Sequence, residues 1–111
     1  MGNDSTENQL ITDMSYMFNN CKNFYSVDFS KWSTSNITNI ESMFQLTNIN
    51  EIPDGLSKLI TNKLTNMRGL FSKCTNLEKV NPDRIKFCNN TQNVKDMSFL
   101  FNGCIKLNYY L

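Results

Sequence analysis

The chain has 111 residues, a formal charge of +1, 40% hydrophobic and 19% charged residues, and no histidine. That bounds it to one domain with a modest core. Scattered Lys and Arg exclude the clustered basic footprint of a nucleic-acid binder, and the missing histidine removes the commonest general base and metal ligand.

In chain order, residues 1–10 are polar and without period, which predicts a disordered lead. Met-Gly-Asn-Asp-Ser-Thr also fits the loose pattern for N-myristoylation at Gly2. No apolar run approaches the roughly 20 residues of a membrane span or the core of a signal peptide, so an intracellular site, or one inside a virion or other assembly, is expected over secretion. The eighteen asparagines suit the turns of a repeat protein, because a short amide bonds locally and tolerates left-handed backbone. Three glycosylation sequons, at Asn3, Asn36 and Asn89, arise easily in such a composition and are not read as modified.

From Ile11 onward one motif recurs four times: Ile-Thr-Asp-Met-Ser-Tyr-Met-Phe from Ile11, Ile-Thr-Asn-Ile-Glu-Ser-Met-Phe from Ile37, Leu-Thr-Asn-Met-Arg-Gly-Leu-Phe from Leu64, and Val-Lys-Asp-Met-Ser-Phe-Leu-Phe from Val94. Such a period is the mark of stacked units, each burying its apolar face against its neighbours. The boundaries are about 11–36, 37–63, 64–93 and 94–111, forming a single domain over 11–111. Ile11, Met14, Met17, Phe18 and Cys21 are spaced like one face of a short helix. Phe24, Val27 and Phe29 then read as a short strand. Later units repeat this with Ile37, Ile40, Met43, Phe44, Leu46, Ile49 and Ile52; with Leu64, Met67, Leu70, Phe71, Cys74, Leu77 and Val80; and with Val94, Met97, Leu100, Phe101, Cys104, Leu107 and Tyr110. The expected fold is therefore an α/β solenoid of four helix–turn–strand coils with a short parallel sheet.

The third residue of each unit (Asp13, Asn39, Asn66, Asp96) can cap the helix start, as can Thr12, Thr38 and Thr65 one residue earlier. Residues beside the inward strand positions point outward: Ser26 and Asp28, Glu51 and Pro53, Lys79 and Asn81, then Tyr109. With Trp32, which falls outside the recurrent set, they form the candidate protein-binding surface. Pro53-Asp54-Gly55 and Asn81-Pro82-Asp83 signal tight turns, and 84–93 is the longest excursion. Variable loops on a constant frame are where recognition surfaces reside.

Met-Phe-x-x-Cys-x-x-(Leu/Phe)-x-x-Val, with Ile-Thr-Asp-Met-Ser before it and Asp-Phe-Ser-Lys-Trp-Ser-Thr-Ser-Asn after, resembles the BspA-like leucine-rich repeat. More narrowly it resembles the surface-lipoprotein repeat of unknown function found in mycoplasmas and in some gut bacteria, protists and large viruses. The resemblance runs from about Ile11 to Leu111 and is weakest in the second unit, where Leu46 stands for the Cys. It implies a right-handed, leucine-rich-repeat-like stack without catalytic activity, used for surface display, adhesion or protein interaction. Unlike surface members, the chain shows no lipoprotein signal.

The residues themselves also speak against an enzyme. The four glycines are isolated and make no phosphate loop, and no carboxylate pair stands out. No metal or cofactor is expected. Cys21, Cys74 and Cys104 share one position and read as small buried residues, although Cys74 and Cys104 could come within disulfide range; Cys88 lies in the long loop. Phe18, Phe44, Phe71 and Phe101 read as a stacked core rather than a ligand ladder. Trp32 reads first as local packing and second as a binding hot spot.

Three functions remain open: a non-enzymatic protein–protein interaction module, a structural or minor component of a large assembly such as a virus particle, and a cell-surface adhesin lacking its anchor. The partner is a protein or an assembly, with self-pairing end to end as one form, because the outermost strands leave backbone groups unpaired.

Overall fold

A computed structural model describes residues 11–25, 27–80 and 90–107. The polar lead 1–10 with Gly2, the turn at Asn81, Pro82 and Asp83, Cys88, most of the third loop, and Tyr109 and Tyr110 lie outside the described residues.

The expected helix–turn–strand solenoid is corrected by the backbone. Among the described residues there is no α-helix and no strand; the regular structure is a 3-10 turn at Leu56–Lys58, with Asn90 also in 3-10 geometry. Parallel pairing is confined to isolated bridges that join Asp13 to Asn39, Asn39 to Asn66, Asn66 to Asp96, and Glu51 to Lys79. No parallel sheet forms among these residues.

The segments that read as helices are tandem turns laid side by side. In the first, the N–H groups of Met17, Asn19 and Cys21 bond to the carbonyls of Met14, Tyr16 and Phe18, three residues back. The alternate N–H groups leave the segment: Met14, Tyr16, Phe18 and Asn20 donate to Asn39, Glu41, Met43 and Gln45 of the second unit at 2.8–3.0 Å. Ile40, Ser42, Phe44 and Leu46 donate likewise to Asn66, Arg68, Leu70 and Ser72. Met67, Gly69, Phe71 and Lys73 donate in turn to Asp96, Ser98, Leu100 and Asn102. Backbone amides thus alternate between closing a turn and tying one unit to the next, which meets the demand that buried polar groups be paired.

Backbone sign explains why no helix forms. The sixth and tenth residues of each unit have positive φ: Tyr16 and Asn20, Ser42 and Leu46, Gly69 and Lys73, Phe99 and Gly103. Positive φ at the third residue of a turn is the type II geometry favoured by Gly and Asn, and it interrupts a right-handed helix. Asn20, Gly69 and Gly103 suit it. The other five accept a strain on the order of 1 kcal/mol each, held by the ladder.

Asp13, Asn39, Asn66 and Asp96 start the segments. Each side-chain Oδ1 accepts the N–H of the residue two further on, at 2.8–2.9 Å. These are Asx turns, so it is the Asx residue, not the preceding threonine, that closes the start. Thr38 and Thr65 instead bond the preceding unit, through N–H and hydroxyl alike, to the carbonyls of Thr12 and Thr38.

The core lies in the two middle units. Ile37, Ile40, Met43, Phe44, Leu64, Met67, Leu70 and Phe71 are fully buried. The phenylalanine rings stack through all four units, with Phe18–Phe44, Phe44–Phe71 and Phe71–Phe101 centroids 5.9, 5.6 and 5.7 Å apart. Leu56, Leu59 and Ile60 close the second unit from below, after a turn in which Leu56 N–H bonds the Pro53 carbonyl. In the outer units Ile11, Met17 and Met97, expected inward, are 41%, 43% and 40% exposed, because among the described residues each outer unit packs against one neighbouring unit.

The cysteine column also needs one correction. Thr47, not Leu46, takes its place in the second unit; its N–H closes the turn to the Phe44 carbonyl as Cys21, Cys74 and Cys104 do to theirs. Leu46 sits one residue earlier, at positive φ. Cys74 and Cys104 are buried and reduced, and their thiols donate to the carbonyls of Phe44 and Phe71 in the preceding unit at 3.0 and 3.1 Å. Cys21 is exposed, and its thiol makes no such bond among the described residues.

Burial, with Cys74 close by, pushes the Cys104 thiol from 9.0 up to about 11, and burial raises Cys74 as well. The unfolded thiol therefore loses its proton before the folded one. Stability should fall as pH rises from about 9 toward about 11. Urea melts at these pH values check this, and an equal fall in Cys104→Ser would locate the effect elsewhere.

Candidate functional site

The residues expected to form a protein-binding surface fall into two groups. Asp28 is exposed and accepts the Ser30 N–H at 2.9 Å. That bond, seconded by the Ser30 hydroxyl and by the charge of Lys58, holds its carboxyl below the usual range. Lys58 Nζ donates to the carbonyls of Phe29 and Ser30 at 2.8 and 2.9 Å, and more weakly to that of Trp32. One ammonium thus pins the loop that carries Trp32. The indole packs edge-on against Phe29, centroids 4.9 Å apart, and lies 6.3 Å from Phe18, so local packing accounts for it.

Glu51 and Lys79 form the second group. Both are exposed and are brought side by side by their parallel bridge. Pro53 is buried rather than outward, because it opens the turn that carries Leu56 into the core. Ser26, Asn81 and Tyr109 lie outside the described residues.

A different feature escapes the sequence reading: a shallow trough of about 220 Å³ across the turn ladder. Its floor is the sixth-residue row, Tyr16, Ser42, Gly69 and Phe99, which lie in successive units at φ between 53° and 60°. The outer two are large and stand 50% and 55% exposed; the inner two are small. A Cβ on Gly69 would meet the Ser42 hydroxyl at 3.2 Å, so glycine keeps the floor low. Ser72 and Gln45 continue the floor on one side.

Glu41 and Arg68 rise on the other side. Glu41 accepts the Tyr16 hydroxyl at 3.1 Å and the Asn66 amide at 3.2 Å. The Arg68 guanidinium lies 4.5 Å over the Phe99 ring, donates to the Ser98 hydroxyl and pairs with Asp96 at 3.6 Å. The ion pair is exposed and adds at most about 1 kcal/mol, but with the ring contact it fixes Phe99 as an upright wall. Neither the Ser42 nor the Ser72 hydroxyl has a hydrogen bond among the described residues. The trough therefore has two nearly buried hydroxyls below, with Ser42 and Ser72 5% and 6% exposed, and aromatic faces at either end.

Three features are absent among the described residues. No cluster of three or more acidic or cysteine ligands is placed to hold a metal ion. No helix is long and apolar enough to cross a membrane. No buried side-chain polar atom lacks a partner.

Residues 4–111 match the family described as Mycoplasma protein of unknown function, DUF285. The chain belongs to that family. The match takes in all four units of this DUF285 protein, so the turn ladder and the trough lie within the family region. No curated protein and no solved structure matches the DUF285 chain.

Proposed function

We propose that this protein is a non-enzymatic protein–protein interaction module, a relative of the BspA-like repeats, and that it grips its partner across the trough. The observation that carries this reading is the pair of exposed aromatics, Tyr16 and Phe99, flanking Ser42 and Gly69 in one row. Large aromatics at fixed positions around a small-residue floor suit insertion of a partner side chain, the arrangement that concentrates binding energy at interfaces. Asp28, Glu51 and Lys79 are exposed polar groups open to a second contact.

Capture of a partner by the tagged protein from its native source tests the reading. Ser42→Tyr copies the first unit's residue at the same backbone geometry and fills the trough. It should abolish capture while leaving the melting temperature within a few degrees. Charge reversal at Glu51 or Lys79 should weaken capture less. Capture unchanged by Ser42→Tyr, and by Phe99→Ala, removes the trough from any binding role.

A structural role in a large assembly is favoured by a separate observation: among the described residues, backbone rows at the two outer units have no partner.

A further inference from the structure

Each internal junction of the ladder uses the same four bonds. The N–H groups of the fourth, sixth, eighth and tenth residues of one unit donate to the carbonyls of the third, fifth, seventh and ninth residues of the next, at 2.6–3.0 Å. The pattern leaves two rows over. In the fourth unit the N–H groups of Met97, Phe99, Phe101 and Gly103 have no acceptor among the described residues. In the first unit the carbonyls of Asp13, Ser15, Met17 and Asn19 have no donor. Four donors at one end and four acceptors at the other share the internal spacing and register.

We propose that copies of this chain pair end to end, the fourth unit of one donating its free backbone row to the first unit of the next. Four further rows match across such a junction. Met97 in the fourth-residue row and Met17 in the seventh-residue row, 40% and 43% exposed, occupy positions that are fully buried inside the stack as Met67 and Met43 respectively. Phe101 and Phe18, partly buried at the two ends, would extend the ring column. The exposed Cys21 thiol would meet the Phe101 carbonyl, as Cys74 meets Phe44 and Cys104 meets Phe71. The contact joins unlike faces, so it adds copies head to tail in the register of the internal junctions.

One row opposes the junction and sets its strength. Inside the stack the third-residue row is amide, Asn39 and Asn66, but at the ends it is carboxylate, Asp13 and Asp96. Joined copies would set Asp96 against Asp13, and like charges directly opposite each other weaken a pairing, here offset in part by Arg68, 3.6 Å from Asp96. The association is therefore weak at low salt and tightened by salt.

This proposal does not depend on the trough, and its test is separate. Asp13→Asn and Asp96→Asn keep the Asx turn, as Asn39 and Asn66 show, and remove the opposed charges. Each should tighten self-association roughly three- to fivefold by sedimentation velocity across a wide concentration range. Met17→Glu and Met97→Glu, at exposed positions, should weaken it roughly tenfold or more. Cys21 labelling by a maleimide, mapped by mass spectrometry, should slow as the copies associate. A protein that stays monomeric throughout, even as Asp96→Asn, overturns the proposal. So does association that leaves Cys21 labelling unchanged, or that Met17→Glu and Met97→Glu leave intact.

Discussion

Replacing Phe71 by alanine should cost about 3–5 kcal/mol of folding stability, the range for emptying a buried aromatic site. The ring is fully buried and lies nearly parallel to both neighbours, 8° from Phe44 and 5° from Phe101. Its backbone is also a junction. The N–H donates to the Leu100 carbonyl, and its own carbonyl accepts both the Cys74 N–H and the Cys104 thiol. The site cannot collapse readily, because relaxing toward the cavity would pull on bonds to two units. A loss of that size approaches the whole stability of an ordinary domain. The melting temperature should fall by on the order of 15 °C or more, or the variant should fail to fold. Phe71→Leu, which keeps most of the volume, should cost less than half as much. A melting curve unchanged by Phe71→Ala would mean that the ring column does not hold the units together.

The same residues show how much could be read from the chain. The recurrence of Phe18, Phe44, Phe71 and Phe101 points to stacking because an apolar residue at one place in every unit must meet its copies. Asp13, Asn39, Asn66 and Asp96 point to a local bond at each start, since a short side-chain oxygen reaches a nearby amide in either a helix cap or an Asx turn. What misled was spacing: apolar residues three apart fit a helix face, and they fit successive tight turns equally well. The distinguishing signal is Asn20, Gly69 and Gly103, which recur at the sixth and tenth places of their units. Read as isolated glycines they carry nothing, but in register they mark left-handed backbone.

The trough was hidden for a related reason. Tyr16, Ser42, Gly69 and Phe99 hold the same sixth place in their units, but large and small residues mix there with no common chemistry, so nothing in the sequence marks the row as a surface until the turn geometry does. Pro53 went the other way. Beside a supposed strand it pointed outward, yet its part in starting the Leu56 turn draws it into the interior.

Opposite signs are expected from two substitutions at left-handed positions. Ser42→Pro should cost on the order of 3 kcal/mol or more, because proline requires φ near −65° where Ser42 has +53°. The change also removes the N–H that donates to the Arg68 carbonyl at 2.8 Å. Lys73→Gly should do the reverse. Lys73 is exposed at φ 60°, so glycine relieves roughly 1 kcal/mol of strain there, less the freedom it adds to the unfolded chain. The net should be a gain of about 0.5 kcal/mol, and the backbone bond from residue 73 to Asn102 is retained. In a helix the same substitution would lose about 1 kcal/mol. Urea denaturation of Lys73→Gly therefore separates the two backbones by sign rather than size. A loss near the helical value would show that residue 73 is not left-handed, and with it the alternation that ties one unit to the next would fall.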